Sequence, residues 1–262
     1  MKINCFLTRL SVILTLTSCT IKEDRDPCPC RLNIIVDGAA SLSDRLSVSG
    51  WSDNGERLFH DRIKVADYPD GYAKKVKKGF LKVCAVGGIE SMTVKDGSLY
   101  IPTGKECDGI WAYSGGMVDA TGDDAEDKVV LHKNHTRIYF QLDSLTLEKG
   151  DVILRLVGNV SGVEMPSLKP VHGDFNCFAT MDAEGYHTAT VPRQNDDSMI
   201  LEVFINGILT RTVRIGEIIV NSGYSWVKED LDDLFLSISI FSGTEVSISI
   251  NDWMTDRLTY TI

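Results

Sequence analysis

The chain has 262 residues, 43% of them hydrophobic, enough to bury one large core or two of ordinary size. Charged residues make up 24%, the proportion of a globular protein rather than a disordered one. Lys and Arg total 27 against 37 Asp and Glu, a net charge of −10, which excludes a broad basic footprint and argues against nucleic acid as a partner.

The N-terminus reads as a targeting segment. Lys2 and Arg9 supply positive charge, and "LSVILTLT" (Leu10 to Thr17) is a short apolar run ending in small residues. Eight helical residues reach about 12 Å, far short of the ~30 Å hydrocarbon core of a bilayer. The run closes in Leu16-Thr17-Ser18-Cys19, which resembles the bacterial lipobox, an aliphatic residue and two small ones before the cysteine that receives lipid. Residues 1–18 are therefore expected to be a signal peptide and Cys19 the lipidation site. Loss of Lys2 and Arg9 with that peptide leaves 25 basic residues against 37 acidic, or −12. Residues 19–30 read as a lipidated tether, since "TIKEDRDP" is polar and has no apolar periodicity. Its "KEDRD" run also resembles the acidic export signal of surface lipoproteins in Bacteroidales-type bacteria.

From residue 31 onward, period-two alternation dominates. "RLNIIVD" opens as a strand, followed by "LSVSGWSDNGERLFH", in which Asp53-Asn54-Gly55 separates two more. "AKKVKKGF" (Lys74, Lys75, Lys77, Lys78) reads as a charged strand edge or loop that blunts edge pairing. "GGMVDATGDDAEDK" (Gly115 to Lys128) is rich in glycine and acid and reads as a loop, with strands "VVLH" and "RIYFQL" after it. "RIYFQL" sets Ile138, Phe140 and Leu142 against Arg137, Tyr139 and Gln141. Asn206-Gly207 inside "MILEVFINGILTRTVRI" favours a type I′ hairpin turn. "WVKEDLDDLF" places Val227, Leu231, Leu234 and Phe235 at helical spacing, enough for two or three turns. "LSISIF" and "EVSISIND" return to strict alternation. The expectation is an all-β chain with little helix, built as two tandem β-sandwiches over residues 31–132 and 133–262.

Chemistry-bearing patterns are thin. His132 and His135 in "HKNH" flank a turn between strands, so their imidazoles diverge, and no third ligand is nearby. Cys28 and Cys30 form a "CPC" pair without the second pair that a structural zinc needs. No G-x-S-x-G elbow is present, and "GKECDG" lacks the spacing of a phosphate loop. Asp123, Asp124, Glu126 and Asp127 lack the spaced glycine and terminal glutamate of a calcium loop. The sequence thus asks for no metal and no cofactor, and it gives no positive support for an enzyme.

Several stretches, taken in order, resemble the FimB-like fimbrial anchor lipoproteins of Bacteroidales, which comprise the anchors of the major and minor fimbriae. They are the lipobox "LTSC", the acidic lead "EDRDPCP", "RLNIIVD", "LSVSGWSDNGE", "GFLKVCAVGGIE", "GIWAYSGG", "VVLHKNHTRIYFQL" and "VSISINDW". The resemblance implies transthyretin-like sandwiches and a surface-exposed outer-membrane lipoprotein held by the lipid on Cys19. It implies fimbrial shaft subunits as partners, a role in attaching fimbriae and limiting their length, and assembly by strand complementation. On that reading the complementing elements are the first strand (Leu32, Ile34, Val36) or the last (Leu258, Tyr260, Ile262). Cys84 stands where the family pattern leads one to expect an aromatic residue, which offers Cys28 or Cys30 a disulfide partner. Cys107 and Cys177 are the other partners open to them, and of five thiols left after lipidation at least one stays unpaired. The competing expectation is a surface glycan-binding lipoprotein, which needs an exposed aromatic platform drawn from Trp51, Trp111, Trp226 and Trp253.

Overall fold

The computed structural model describes residues 28–36, 41–239, 245–250 and 260–261. Almost all of its regular structure is strand, arranged in four sheets. In the first, β1 (Cys30–Val36) lies between β4 (Tyr72–Val76), antiparallel to it, and β9 (Asp124–Val129), parallel to it. The second sheet is antiparallel throughout and runs in the order β10 (His132–Lys133), β8 (Trp111–Asp119), β5 (Phe80–Gly87), β2 (Arg45–Ser52), β3 (Arg57–Lys64). These two sheets enclose the smaller core. Cys30, Leu32, Ile34, Tyr72 and Val76 meet Leu46, Val48, Phe59, Leu81, Val83 and Ala85 there.

The third sheet has the order β17 (Ile208–Val213), β16 (Ile200–Ile205), β12 (Val152–Glu164), β7 (Ser98–Tyr100), β6 (Thr93–Lys95), with β13 (Pro170–Phe178) also on β12. The fourth runs β14 (Thr180–Met181), β15 (His187–Pro192), β11 (His135–Leu142), β18 (Leu234–Ser239), β19 (Glu245–Ile250), β20 (Tyr260–Thr261). Ile138, Phe140, Leu234 and Leu236 from the fourth sheet and Leu154, Leu156, Leu201 and Val203 from the third form the larger core. A short helix, α1 (Ser144–Leu147), is capped by the Asp143 carboxylate, which accepts from Thr146 N at 2.8 Å. A second, α2 (Ile215–Asn221), buries Ile215, Ile218 and Ile219.

The two halves interlock. The β6–β7 hairpin precedes residue 133, yet Leu99 pairs with Val163 of β12 in the third sheet. Trp51, Cys84, Val86, Leu99, Ile110 and Ala112 all join the larger core. Along β5, Leu81, Val83 and Ala85 face one core while Cys84 and Val86 face the other. The second sheet is therefore covered on both faces, which explains the nearly unbroken apolar run "VCAV".

The Asn206-Gly207 turn has φ of 52° and 77°, both positive as a type I′ turn requires. The lysine-rich stretch is indeed an edge strand. Lys74 lies opposite inward-facing Leu32, and its Nζ meets Asp61 at 2.8 Å. A charge turned inward at an open edge discourages further pairing.

Three expectations are corrected. Gly115 to Lys128 is not a loop, because β8 runs to Asp119 and β9 starts at Asp124; Asp124 and Glu126 sit exposed and Asp127 half-buried against Tyr113, on a strand paired, among the described residues, along one side only. "VVLH" is not one strand, since Val129 closes β9 and His132 opens β10. "WVKEDLDDLF" is not a helix. Carbonyls 226, 228 and 229 accept from the Arg193 guanidinium, and Asp230 and Asp233 are bound by His132 and Lys133. Val227 is 90% exposed, and Leu234 and Phe235 take opposite faces of β18.

Candidate interaction surfaces

The two terminal strands occupy different kinds of position. β1 is central in its sheet, paired from Cys30 to Ile34 with β4 and from Arg31 to Val36 with β9. Leu32 and Ile34 have no exposed surface, and Val36 is half-buried against the same core. Burying each such side chain contributes about 1.5–3 kcal/mol, so withdrawing β1 breaks two ladders and opens the smaller core. Tyr260 belongs to β20, which among the described residues pairs only with β19, at the edge of the fourth sheet, Tyr260 opposite Val246. Leu258 and Ile262 lie outside the described residues, as does Cys19. Arg31 and Asn33 point the other way from Leu32, into an open groove of about 550 Å³ shared with Asp70, Asp124 and Glu126.

The cysteines do not form the expected bridge. Cys28, Cys30, Cys84, Cys107 and Cys177 are all free thiols, and only Cys28 is exposed. Cys30 faces the smaller core and Cys84 the larger one, so the second sheet's own backbone stands between them. Burial pushes the Cys84 and Cys177 thiols up to about 12, and burial with nearby Asp108 raises Cys107 as well. Burial and the Asp124 carboxylate also raise Cys30. Thiols held protonated in this way are poor nucleophiles.

His132 sits between Glu229 and Asp230, with ring nitrogens 3.1 and 3.0 Å from their carboxylates. His135 turns elsewhere, with Nδ1 2.9 Å from the Ile110 carbonyl and its ring edge-on to Trp111. Among the described residues, no group of three metal-ligating side chains converges. Trp51 and Trp226 are buried and Trp111 is half-buried, so these three present no flat exposed platform; Trp253 lies outside the described residues.

Three groupings escaped the sequence reading. Asp108, buried, accepts from the backbone amides of Glu90, Ser91 and Met92, each at 2.8 Å, and from Ser91 Oγ at 2.6 Å. It fixes the segment that leaves the second sheet for the third. Arg193 Nε donates to Asn134 Oδ1 at 2.6 Å while its other nitrogens reach the carbonyls of Trp226, Lys228 and Glu229. Together with Lys133 and Asp233 at 2.6 Å, this ties residues 226–233 to the junction between the halves. On the outer face of the fourth sheet, Tyr139 and Phe235 stack at 4.4 Å and Tyr186 stands edge-on to both. The Arg137 guanidinium lies 5.2 Å from the Tyr139 ring centre. The outward set Arg137, Tyr139 and Gln141 in "RIYFQL" carried the only sequence signal for that cluster.

No family model matches the chain, and no curated protein does. Solved structures do. A structure described as a candidate adhesin from Bacteroides ovatus has a TM-score of 0.62 at 11% identity, covering 92% of this chain and 97% of its own. The fimbrial anchor protein Mfa2 from Porphyromonas gingivalis gives 0.61 at 13% identity, covering 86% and 98%. A structure described as a candidate polysaccharide-binding protein from Bacteroides thetaiotaomicron gives 0.61 at 12%, covering 90% and 98%. The chain therefore has, along most of its length, the fold of these Bacteroidales fimbrial-anchor and adhesin structures.

Proposed function

We propose that the chain is a fimbrial anchor or accessory subunit, lipidated at Cys19, that attaches fimbriae to the outer membrane and limits their length. The observation that carries this reading is the shared fold with a fimbrial anchor over 86% of this chain and 98% of that one. The lipobox and acidic tether supply the membrane attachment, and fimbrial shaft subunits are the partners. The units are transthyretin-like sandwiches of residues 31–132 and 133–262, the first lending its β6–β7 hairpin to the second. Assembly proceeds by strand complementation, in which an extended segment completes a sheet through main-chain hydrogen bonds. The edge position of β20 favours the last strand over β1 as the exchanging element. The test is a gene deletion complemented by wild type or Cys19→Ala. Fimbriae that are longer and shed into the medium in both the deletion and the Cys19→Ala strain support the proposal, and fimbriae unchanged in length and attachment refute it.

A second reading, a surface glycan-binding lipoprotein, is favoured by the half-exposed Tyr139, Tyr186 and Phe235 cluster and by the fold shared with the candidate polysaccharide-binding protein. It expects glycan retention that Tyr139→Ala abolishes. A screen of surface polysaccharides in which wild type and Tyr139→Ala behave alike removes it.

A further inference from the structure

The end of the fold from which the tether leaves carries two apolar side chains that serve neither core. Phe80 and Met117 are 51% and 52% exposed. Phe80 opposes Asp119 and Lys82 opposes Met117 across β5 and β8, so all four stand on one face of the second sheet. That face carries Cys84 and Val86 into the larger core. The ledge begins past Ser114, whose Oγ donates to the Pro166 carbonyl at 2.5 Å. The start of β1 belongs to the same end. Ala120 N donates to Gly79 O at 2.9 Å, Arg31 N to Asp123 O at 2.7 Å, and Lys78 Nζ meets Asp123 at 2.6 Å. Cys28 is exposed beside them.

We infer that this end rests on the lipid surface holding the acylated Cys19, with Phe80 and Met117 entering the interfacial layer and Lys75 and Lys77 meeting headgroup phosphates. The inference rests on the reading of Cys19 as a lipid attachment. Nine residues carry the chain from Cys19 to Cys28, a span of at most about 32 Å when fully extended. Every shorter path brings the Phe80 ledge closer to the headgroups, and the tether turns docking into an intramolecular event. Charge at this end also suits the occupant. Lys75 and Lys77 are exposed and Lys82 is half-exposed, and none has an ion pair among the described residues. Arg31 and, on the β2–β3 turn past the Ser52–Leu81 pair, Arg57 stand with them; against them stand Asp53, Glu56, Asp119 and Asp124, while Lys78 and Asp123 neutralise each other. In a chain of −10 this end is close to neutral, so it avoids the repulsion that acidic surfaces meet at anionic headgroups. Exposed aromatic and thioether side chains beside the Lys82 stem, with further lysines at the same end of the fold, match the apolar-over-phosphate layering of a membrane interface.

The test uses the full-length acylated protein in vesicles of phosphatidylcholine and phosphatidylglycerol with brominated acyl chains. Phe80→Trp is compared with Ile208→Trp, which is also strongly exposed but sits on the β16–β17 hairpin, and the wild-type emission is subtracted. Quenching of Phe80→Trp several-fold greater than that of Ile208→Trp is the expected result. Lys75→Gln with Lys77→Gln in that background is expected to lower the quenching in these vesicles but not in phosphatidylcholine alone. Equal quenching of the two tryptophan variants, with mass spectrometry showing acylated Cys19, overturns the docking and leaves the anchor reading in place. An unacylated Cys19 overturns both.

Discussion

Replacing Asp108 tests how the two halves are locked together. Its Oδ2 accepts three backbone amides and its Oδ1 accepts Ser91 Oγ. Asp108→Ala strands the amide of Met92, a residue only 5% exposed, at a desolvation cost of about 1–3 kcal/mol. The amides of Glu90 and Ser91 are partly buried and recover some of their loss from water, at about 0.5–1 kcal/mol each. The sum, about 3 kcal/mol, lowers Tm by about 6–12 °C for a chain of this size. Asp108→Asn separates geometry from charge. Its carbonyl oxygen can take the Oδ2 position and keep all three amides, while its NH2 group donates to Ser91 Oγ. Only the charge assistance is lost, about half the effect. Calorimetry gives the shifts, and hydrogen exchange at residues 90–92 shows whether the change is local. Equal destabilisation by Asn and Ala, or unchanged exchange at those amides in Asp108→Ala, would refute the reasoning.

Arg193→Lys cannot reproduce a fork that reaches Asn134 and three carbonyls, and is expected to cost about 2 kcal/mol by denaturant unfolding and to expose 226–233 to proteolysis. Gly162→Ala places a Cβ 2.1 Å from the Leu99 carbonyl oxygen where β7 meets β12, and is expected to cost about 1–3 kcal/mol in the same assay. Burial holds His60, His135 and His187 below the usual imidazole range. The folded state then binds fewer protons than the unfolded one, so their contribution is complete above about pH 6.5 and is lost as pH falls through the depressed values. Tm measured from pH 7 to pH 5 should decline, and His135→Gln should flatten that decline.

Alternation made the larger part of the strands legible, because residues such as Ile138, Phe140 and Leu142 face one way whatever their partners are. The Asn206-Gly207 turn was readable for an equally local reason, since both residues tolerate positive φ. What stayed hidden depends on distant partners. The acidic stretch of β9 is a strand because β1 offers it a parallel ladder, and nothing within "DDAEDK" announces that. The helical spacing of Val227, Leu231 and Leu234 was overridden by the side chains of His132, Lys133 and Arg193, which claim the local carbonyls and carboxylates. For the surfaces, the edge character of "AKKVKK" showed in its charge, whereas the Asp108 latch is a single aspartate with no pattern around it. The thiols looked like a framework by count alone, but alternation along β5 sends Cys84 away from Cys30.

The β6–β7 hairpin has a consequence for how the protein acquires its structure. A chain delivered N-terminus first presents Leu99 and the outer face of Trp51 well before Val152 to Glu164 arrive to cover them. The order of synthesis therefore leaves the first sandwich with an unfinished side, and its completion waits on contacts of long sequence separation, which form slowly. Such a chain gains its last protection against aggregation and proteolysis in one late step, when β12 docks, rather than half by half.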